Sequence, residues 1–423
     1  MRSEGELPPM SPLGLVIAIV LVDLLGFSLV MPLLAPFAKE YGFGPLQIGL
    51  LLAAYPMAQL VAGPILGRLS DRHGRRPVLA ASQFGTAVSF LILGLSQRFE
   101  VMLLARLLDG ASGGNILVAQ AYVADVTKPE DRSRGYGLIG MAFGLGFVLG
   151  PLLGLALMTY APVPAGWRLR VPFLVAAGLS TVAWVLVLLK LPESLPADAK
   201  GRQGARVVSR RGLADAFHLP GVGRMIALGA LLALGFAALE GTFSLYLEGR
   251  QGWSPRGVLA GFTYLGLVTA MVQGGMVRRL VPKYGEGRLI VAGLALLIVG
   301  FAGLALARGT AATLLAALAV GVGQGLATPT VSGLLSRITP EGEQGAVFGT
   351  LSSAQTLARM ANYLVANLLF GRGNAAAPFW EAAAIALVAL GWSSLALPAA
   401  RKLARARPAG PMAEPLPSEM AEL

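Results

Sequence analysis

GPILGRLSDRHG at residues 63 to 74 returns as GGMVRRLVPKYG at residues 274 to 285, an offset of 211 that sets Arg68 against Arg279, Leu69 against Leu280 and both flanking glycines against each other. A second match follows at an offset of 212, with Thr127, Tyr136 and Gly137 against Thr339, Phe348 and Gly349. YGFGP at 41 to 45 likewise resembles QGWSP at 251 to 255. Both offsets are half of the 423 residues, so two tandem copies of one unit account for the chain.

Each copy is built for lipid. The sequence is 55% hydrophobic and 13% charged, with a mean hydropathy of +0.68, whereas soluble domains carry about 25% charged residues. Apolar runs predict twelve helical spans at 13–37, 46–67, 77–96, 100–124, 136–159, 169–190, 224–247, 257–278, 288–307, 311–336, 346–370 and 378–398. Six spans per copy is an even number, so both copies insert the same way round, related by an axis along the membrane normal. The expected fold is an all-α membrane protein whose twelve transmembrane helices form two six-helix bundles related by a pseudo-two-fold. The bundles would occupy 1–190 and 221–398. A basic cytoplasmic linker at 191–220 would join them, with a disordered cytoplasmic tail at 399–423.

An even number of spans places both termini on one side. That side collects 24 of the 34 Lys and Arg, the other eight, and two lie inside spans. The asymmetry fits a cytoplasmic membrane protein with both ends in the cytoplasm. The net charge of +12 is then explained by loops facing anionic lipid headgroups, without nucleic acid. The first apolar stretch is too long for a signal peptide and contains Asp23, so it reads as a retained helix.

Several chemistries are excluded. With no cysteine there are no disulfides, thiolate nucleophiles or cysteine-held metals. His73 and His218 both lie in polar connections, so a proton carrier within the spans must be a carboxylate. No lysine precedes Ser or Thr, so no Walker A motif exists and the energy source, if any, is a gradient. GYGLIG at 135 to 140 follows no strand and opens a membrane span, and GASGG at 110 to 114 has no histidine nearby. Neither is read as a dinucleotide fingerprint or a nucleophile elbow. No enzyme activity, metal or cofactor is expected.

Gly67-Arg68-Leu69-Ser70-Asp71-Arg72-His73-Gly74-Arg75-Arg76, between spans 2 and 3, resembles the signature loop of the major facilitator superfamily. Asp23 with Gly26 and Pro32 in span 1, Arg106 with Asp109-Gly110 in span 4, and Gly146-Phe147-Val148-Leu149-Gly150-Pro151 followed by Gly154 in span 5 resemble three further motifs of that superfamily. The last is similar to the antiporter motif of the twelve-helix drug/proton antiporters, among which the tetracycline-resistance exporters are the nearest likeness. In the second copy, Pro282 stands where the loop has its acid. The resemblance implies a gating role for Gly67, Asp71, Arg72, Gly74, Arg75 and Arg76, with Asp71 near the start of helix 11 when the protein faces outward. It also implies that the Gly146, Gly150, Pro151 and Gly154 contact seals the outer side.

Physical reasoning adds to this. Gly140 and Gly144, then Gly146, Gly150 and Gly154, form a face almost without side chains, where helices approach closely, and Pro151 removes a backbone hydrogen bond. Five ionisable residues lie well inside spans: Asp23, Arg106, Asp109, Glu240 and Arg359. Each costs at least about 2.5 to 3.5 kcal/mol in hydrocarbon unless it faces a cavity or a partner. A carboxyl group escapes that cost by binding a proton, and a neighbouring arginine restores its charge. Asp23 and Glu240, with Arg106 and Asp109, are therefore the expected proton-coupling residues. Arg359 is left to pair with Glu240 or attract an anionic substrate, and Asp125 to pair with loop arginines. A mostly apolar cavity with a few polar anchors is expected from Asn115, Gln120, Phe236, Phe243, Tyr246, Gln324, Arg359, Asn362 and Tyr363.

The expected function is a proton-coupled antiporter that exports hydrophobic or amphipathic organic compounds such as drugs by alternating access. The alternative is a proton-coupled importer or facilitator of a small metabolite or lipid-like solute. Expected partners are the organic substrate, protons and membrane lipids, with the chain acting as a monomer.

Overall fold

The computed structural model describes residues 11–128, 132–195, 221–340 and 343–406. The first copy folds into α1 (Pro12–Glu40), α2 (Pro45–His73), α3 (Arg75–Leu95), α4 (Phe99–Ser112), α5 (Asn115–Val126), α6 (Arg132–Tyr160) and α7 (Val171–Lys190). The second comprises α8 (Val222–Gly249), α9 (Pro255–Met271), α10 (Val277–Tyr284), α11 (Glu286–Leu306), α12 (Thr310–Ile338), α13 (Gln344–Gly371) and α14 (Ala377–Ala406). Among the described residues there is no strand, and eleven helical stretches are long and apolar enough to cross a membrane. The expected span 11 forms as the 28-residue α13 but falls short in apolarity, because Ser352, Ser353, Gln355, Thr356, Arg359, Asn362 and Asn367 interrupt it.

The repeated segments mark the same turns in each copy. Gly42 and Gly252, both at positive φ, precede Pro45 and Pro255 at the starts of α2 and α9, where proline's missing N–H costs nothing. Gly74 and Gly285, again both at positive φ, end α2 and α10. A side chain is strained in that backbone region, so both copies keep glycine there.

Two spans are not single helices. Span 4 breaks at Gly113–Gly114 between α4 and α5. Gln59 Nε2 donates to the Gly113 carbonyl at 2.8 Å, and Gly110 and Gly113 pack against Tyr55 of α2. The run GASGG is thus a close helix–helix contact. Span 8 passes through a π-helical turn at Val272–Met276, over the Gln273-Gly274-Gly275 sequence. The last helix also corrects an expectation, since it runs through Pro398 to Ala406 where a disordered tail was expected. Pro398 removes a single N–H, and the Ala-, Lys- and Arg-rich residues after it favour helix. Residues 196–220 of the expected linker, with His218, and residues 407–423 of the expected tail lie outside the described residues.

Packing within the first copy joins α1 to α6 and α7, α3 to α7, and α2 to α4. In the second copy α11 packs on α12 and α14, and α8 on α13 and α14. The copies meet chiefly where α2 packs on α13 and α6 on α9. These contacts concentrate at the end opposite the Gly63–Gly74 segment. There a shared apolar core joins Leu29, Leu33 and Phe37 of α1 and Leu52 of α2 to Ala237, Leu245, Leu259 and Tyr363 of the second copy. Ser244 Oγ donates to the Pro32 carbonyl at 2.8 Å, Arg256 Nε to that of Met158 at 3.0 Å, and Lys39 meets Glu248 at 3.6 Å. At the loop end, a Cβ built on Gly67, Gly140, Gly144, Gly274, Gly275 or Gly345 meets nothing within 4 Å. The two copies are closed at one end and parted at the other.

Candidate functional site

In the first copy, the break before α5 puts Asn115 at a helix start. Its Oδ1 accepts from the Ile116 N–H at 2.7 Å, and its Nδ2 donates to Asp23 Oδ2 at 2.6 Å. Asp23 is buried in the middle of α1, and its Oδ1 has no hydrogen-bond partner among the described residues. One helix away, Arg106 donates from a terminal nitrogen to Asp109 Oδ2 at 2.7 Å and from Nε to the Leu51 carbonyl at 3.2 Å. Its guanidinium carbon lies 4.9 Å from the centre of the Tyr55 ring. Both charges are almost wholly buried, so this pair is neutralised in place and further held by a cation–π contact.

In the second copy, Glu240 of α8 accepts from the Tyr363 hydroxyl at 3.0 Å and lies 3.8 Å from Arg359. Arg359 does pair with Glu240, as the sequence allowed, but loosely. Asn362 Nδ2 donates to the Leu234 carbonyl at 2.6 Å, tying α13 to α8. The two copies touch beside these charges. Gly49 of α2 packs on the Tyr363 carbonyl and Leu52 on Gly241, so one turn of α2 lies between Arg106 and the Glu240 cluster.

The other cavity residues divide. Phe236 and Gln120 are half-buried, and Gln324 is buried with an unpartnered Oε1. Phe243 and Tyr246 are corrections, because both sit in the apolar core of the second copy. Tyr246 donates to the Leu304 carbonyl at 2.7 Å and packs edge-on against Phe379. At about 100° per residue, Tyr246 lies about 120° around α8 from Glu240, which turns it into the bundle.

The loop folds around Arg75. That side chain is buried and meets Asp71 Oδ1 at 2.5 Å, Asp125 Oδ2 at 3.0 Å and Ser70 Oγ at 2.7 Å. Asp125 is therefore a partner of a loop arginine, and Asp71 is held within its own copy. Glu193 caps α3 by accepting from the Arg75 N–H at 2.8 Å and packs on Gly74, where a side chain would collide with its carboxylate. Arg76 donates to the Leu188 carbonyl at 2.6 Å, closing the end of α7. Arg72 and Gly67 face open space.

On α6, Gly146 packs on Leu24, Gly150 on Ser28 and Leu29, and Gly154 on Leu29 and Leu259. Ser28 Oγ donates to the Gly146 carbonyl at 2.7 Å. Gly140 and Gly144 depart from this face and border the parted end. Pro151 frees the Phe147 carbonyl, and Gly266 of α9 packs against it. Tyr55, Gln59, Ser28 and Glu193 were not identified from sequence. Only the small residues opposite them, at Gly113, Gly146 and Gly74, carried a signal.

Comparison with known proteins bears on the fold and the family. The family profile described as Major Facilitator Superfamily matches residues 16–363. The chain is 30% identical to "Tetracycline resistance protein, class C" of Escherichia coli, across 93% of this chain and 97% of that protein. It is 28% identical to "Multidrug resistance protein 2" of Bacillus subtilis, across 88% and 92%. The crystal structure of the human organic anion transporter MFSD10 superposes with a TM-score of 0.67 at 28% identity, covering 90% of this chain and 98% of that one. With its family profile, its helical architecture and its full-length relatives in agreement, the chain belongs to the major facilitator superfamily.

Proposed function

We propose that this transporter is a proton-coupled antiporter that exports hydrophobic or amphipathic organic compounds across the cytoplasmic membrane, with both termini in the cytoplasm. The observation that carries the reading is Asp23. A carboxylate in the middle of a membrane helix, anchored by Asn115 through one oxygen and unpartnered at the other, is a place to hold a proton. The same helix presents Leu24, Ser28 and Leu29 to the glycine face of α6, so a change of charge at Asp23 acts next to a helix contact that bears on the closed end. The names of the relatives, a tetracycline resistance protein and a multidrug resistance protein, favour export of drug-like compounds.

Alternating access then requires the closed end to part while the open end closes. Asp71 and Arg75 are the groups poised to exchange partners at the open end, and the α6 glycines keep the other end sealed meanwhile.

Everted vesicles test the reading. Adding a panel of amphipathic compounds to energised vesicles releases stored protons in an exchanger. Asp23→Asn is expected to abolish that release and compound accumulation while expression persists. Undiminished proton release in the variant would remove Asp23 from the mechanism, and an importer would show no substrate-driven release at all.

A further inference from the structure

Of the five ionisable residues well inside the spans, four are shielded. The side chains of Arg106 and Asp109 are 2% and 3% exposed, Asp23 is buried, and Glu240 is 14% exposed beneath Tyr363 and Arg359. Arg359 is 40% exposed. The most open of these five charges is therefore a cation.

The direction of that exposure follows from the helix. Leu357, Val365 and Leu368 are exposed apolar residues of α13, and at about 100° per residue they fall on one face. Ser352, Gln355, Arg359, Asn362 and Tyr363 fall on the opposite face, which meets Glu240 and Leu234 of α8. Apolar residues take the lipid side and Arg359 points inward. Its open fraction faces the space between the two copies, near the middle of α13.

The exposed charges at the parted end are mostly basic, although Glu343 is exposed there too and Glu286 is paired with Arg337. Arg68 and Arg72 on α2, with Arg279 and Lys283 on α10, are all exposed there, whereas Asp71 and Asp125 are tied to Arg75. A basic rim around a low-dielectric opening raises the local concentration of anions. A cationic substrate meets the reverse, because Glu240 is already engaged and Arg359 repels it.

We propose that Arg359 is the anchor for the acidic group of an amphipathic organic anion, which takes the place beside the guanidinium now loosely held by Glu240. Tyr363 retains Glu240 when that contact opens. The amphipathic remainder of the substrate lies between the copies, along the half-buried Phe236. The assignment deepens the transporter reading and depends on its interior cavity, but not on proton coupling.

Two probes with one fluorophore and opposite charge decide it: dansylglycine, a carboxylate, and dansylcadaverine, an ammonium. Anisotropy titration of the full chain in lipid nanodiscs, against protein-free nanodiscs, is expected to give at least tenfold tighter binding of dansylglycine. Arg359→Gln is expected to weaken dansylglycine at least tenfold and erase the preference, whereas Arg359→Lys keeps it, showing that the fold survives substitution there. Glu240→Gln is expected to bind dansylglycine as tightly as the parent or more so. Equal binding of the two probes, preference for the cation, binding of neither, or equal loss of both in Arg359→Gln would overturn the assignment. Anion preference without proton release in vesicles would leave it standing and overturn the antiporter reading instead.

Discussion

Glycine at 150 and glycine at 144 look alike in the sequence, yet the structure gives them opposite duties. A methyl group at Gly150 collides with Ser28 Oγ and the Leu29 backbone, whereas one at Gly144 enters open space. Gly150→Ala is therefore expected to lower stability by about 1 to 3 kcal/mol, the usual cost of overpacking a close contact. Gly144→Ala is expected to be neutral or to gain about 0.5 to 1 kcal/mol from the lost flexibility of glycine. Thermal unfolding of the purified variants reads both, and an equal effect at the two positions would contradict the packing described. Charges were legible from sequence for a simple reason: an ionised group in hydrocarbon is costly wherever it points, so Asp23, Arg106, Asp109, Glu240 and Arg359 stood out. Tyr55 and Glu193 did not, since a tyrosine in a span and a glutamate after one are ordinary until their partners are known. Phe243 and Tyr246 were misplaced because α8 is apolar nearly all round, and its rotation is fixed only by its neighbours.

The α2–α3 connection has two properties with separable tests. Arg75 is buried between Asp71 and Asp125, whose side chains are 22% and 19% exposed. Removing it leaves two carboxylates facing each other. Arg75→Ala is expected to cost about 3 kcal/mol, the low end for breaking a buried pair because both acids keep some water. Asp71→Asn leaves Arg75 bound to Asp125 and Ser70, so about 1 kcal/mol or less is expected in thermal unfolding. The same substitution is expected to slow exchange between the two facing states, and unaltered transport rates would argue against a gating role. The repeat, the turns at Gly42, Gly74, Gly252 and Gly285, and most helix positions were legible from the hydrophobic runs. The break at Gly113 and the π-turn at Val272–Met276 were not. A dense apolar run hides them, and close approach of a neighbouring helix decides whether a glycine pair bends or continues.

At the scale of the whole molecule, one end is shut by α2 against α13 and by α6 against α9, and transport requires that closure to open. Pro45 at the start of α2 and Gly371 at the end of α13 provide a handle. A Cβ built on Gly371 lies 3.3 Å from the Pro45 Cβ, within a few tenths of an ångström of the roughly 3.5 to 4.5 Å that a disulfide spans. The chain has no cysteine of its own, so Pro45→Cys with Gly371→Cys introduces the only two thiols. Oxidation is expected to join them in the closed form, abolish thiol labelling and reduce transport at least tenfold, with dithiothreitol restoring both. Either single variant treated with oxidant should keep its transport, since neither position contacts the charged cluster. If the doubly substituted protein transports at its full rate while fully crosslinked, substrate does not leave through this end. The parted end would then have to serve both entry and exit, and the exchange of partners at Asp71 and Arg75 would have no step to accompany.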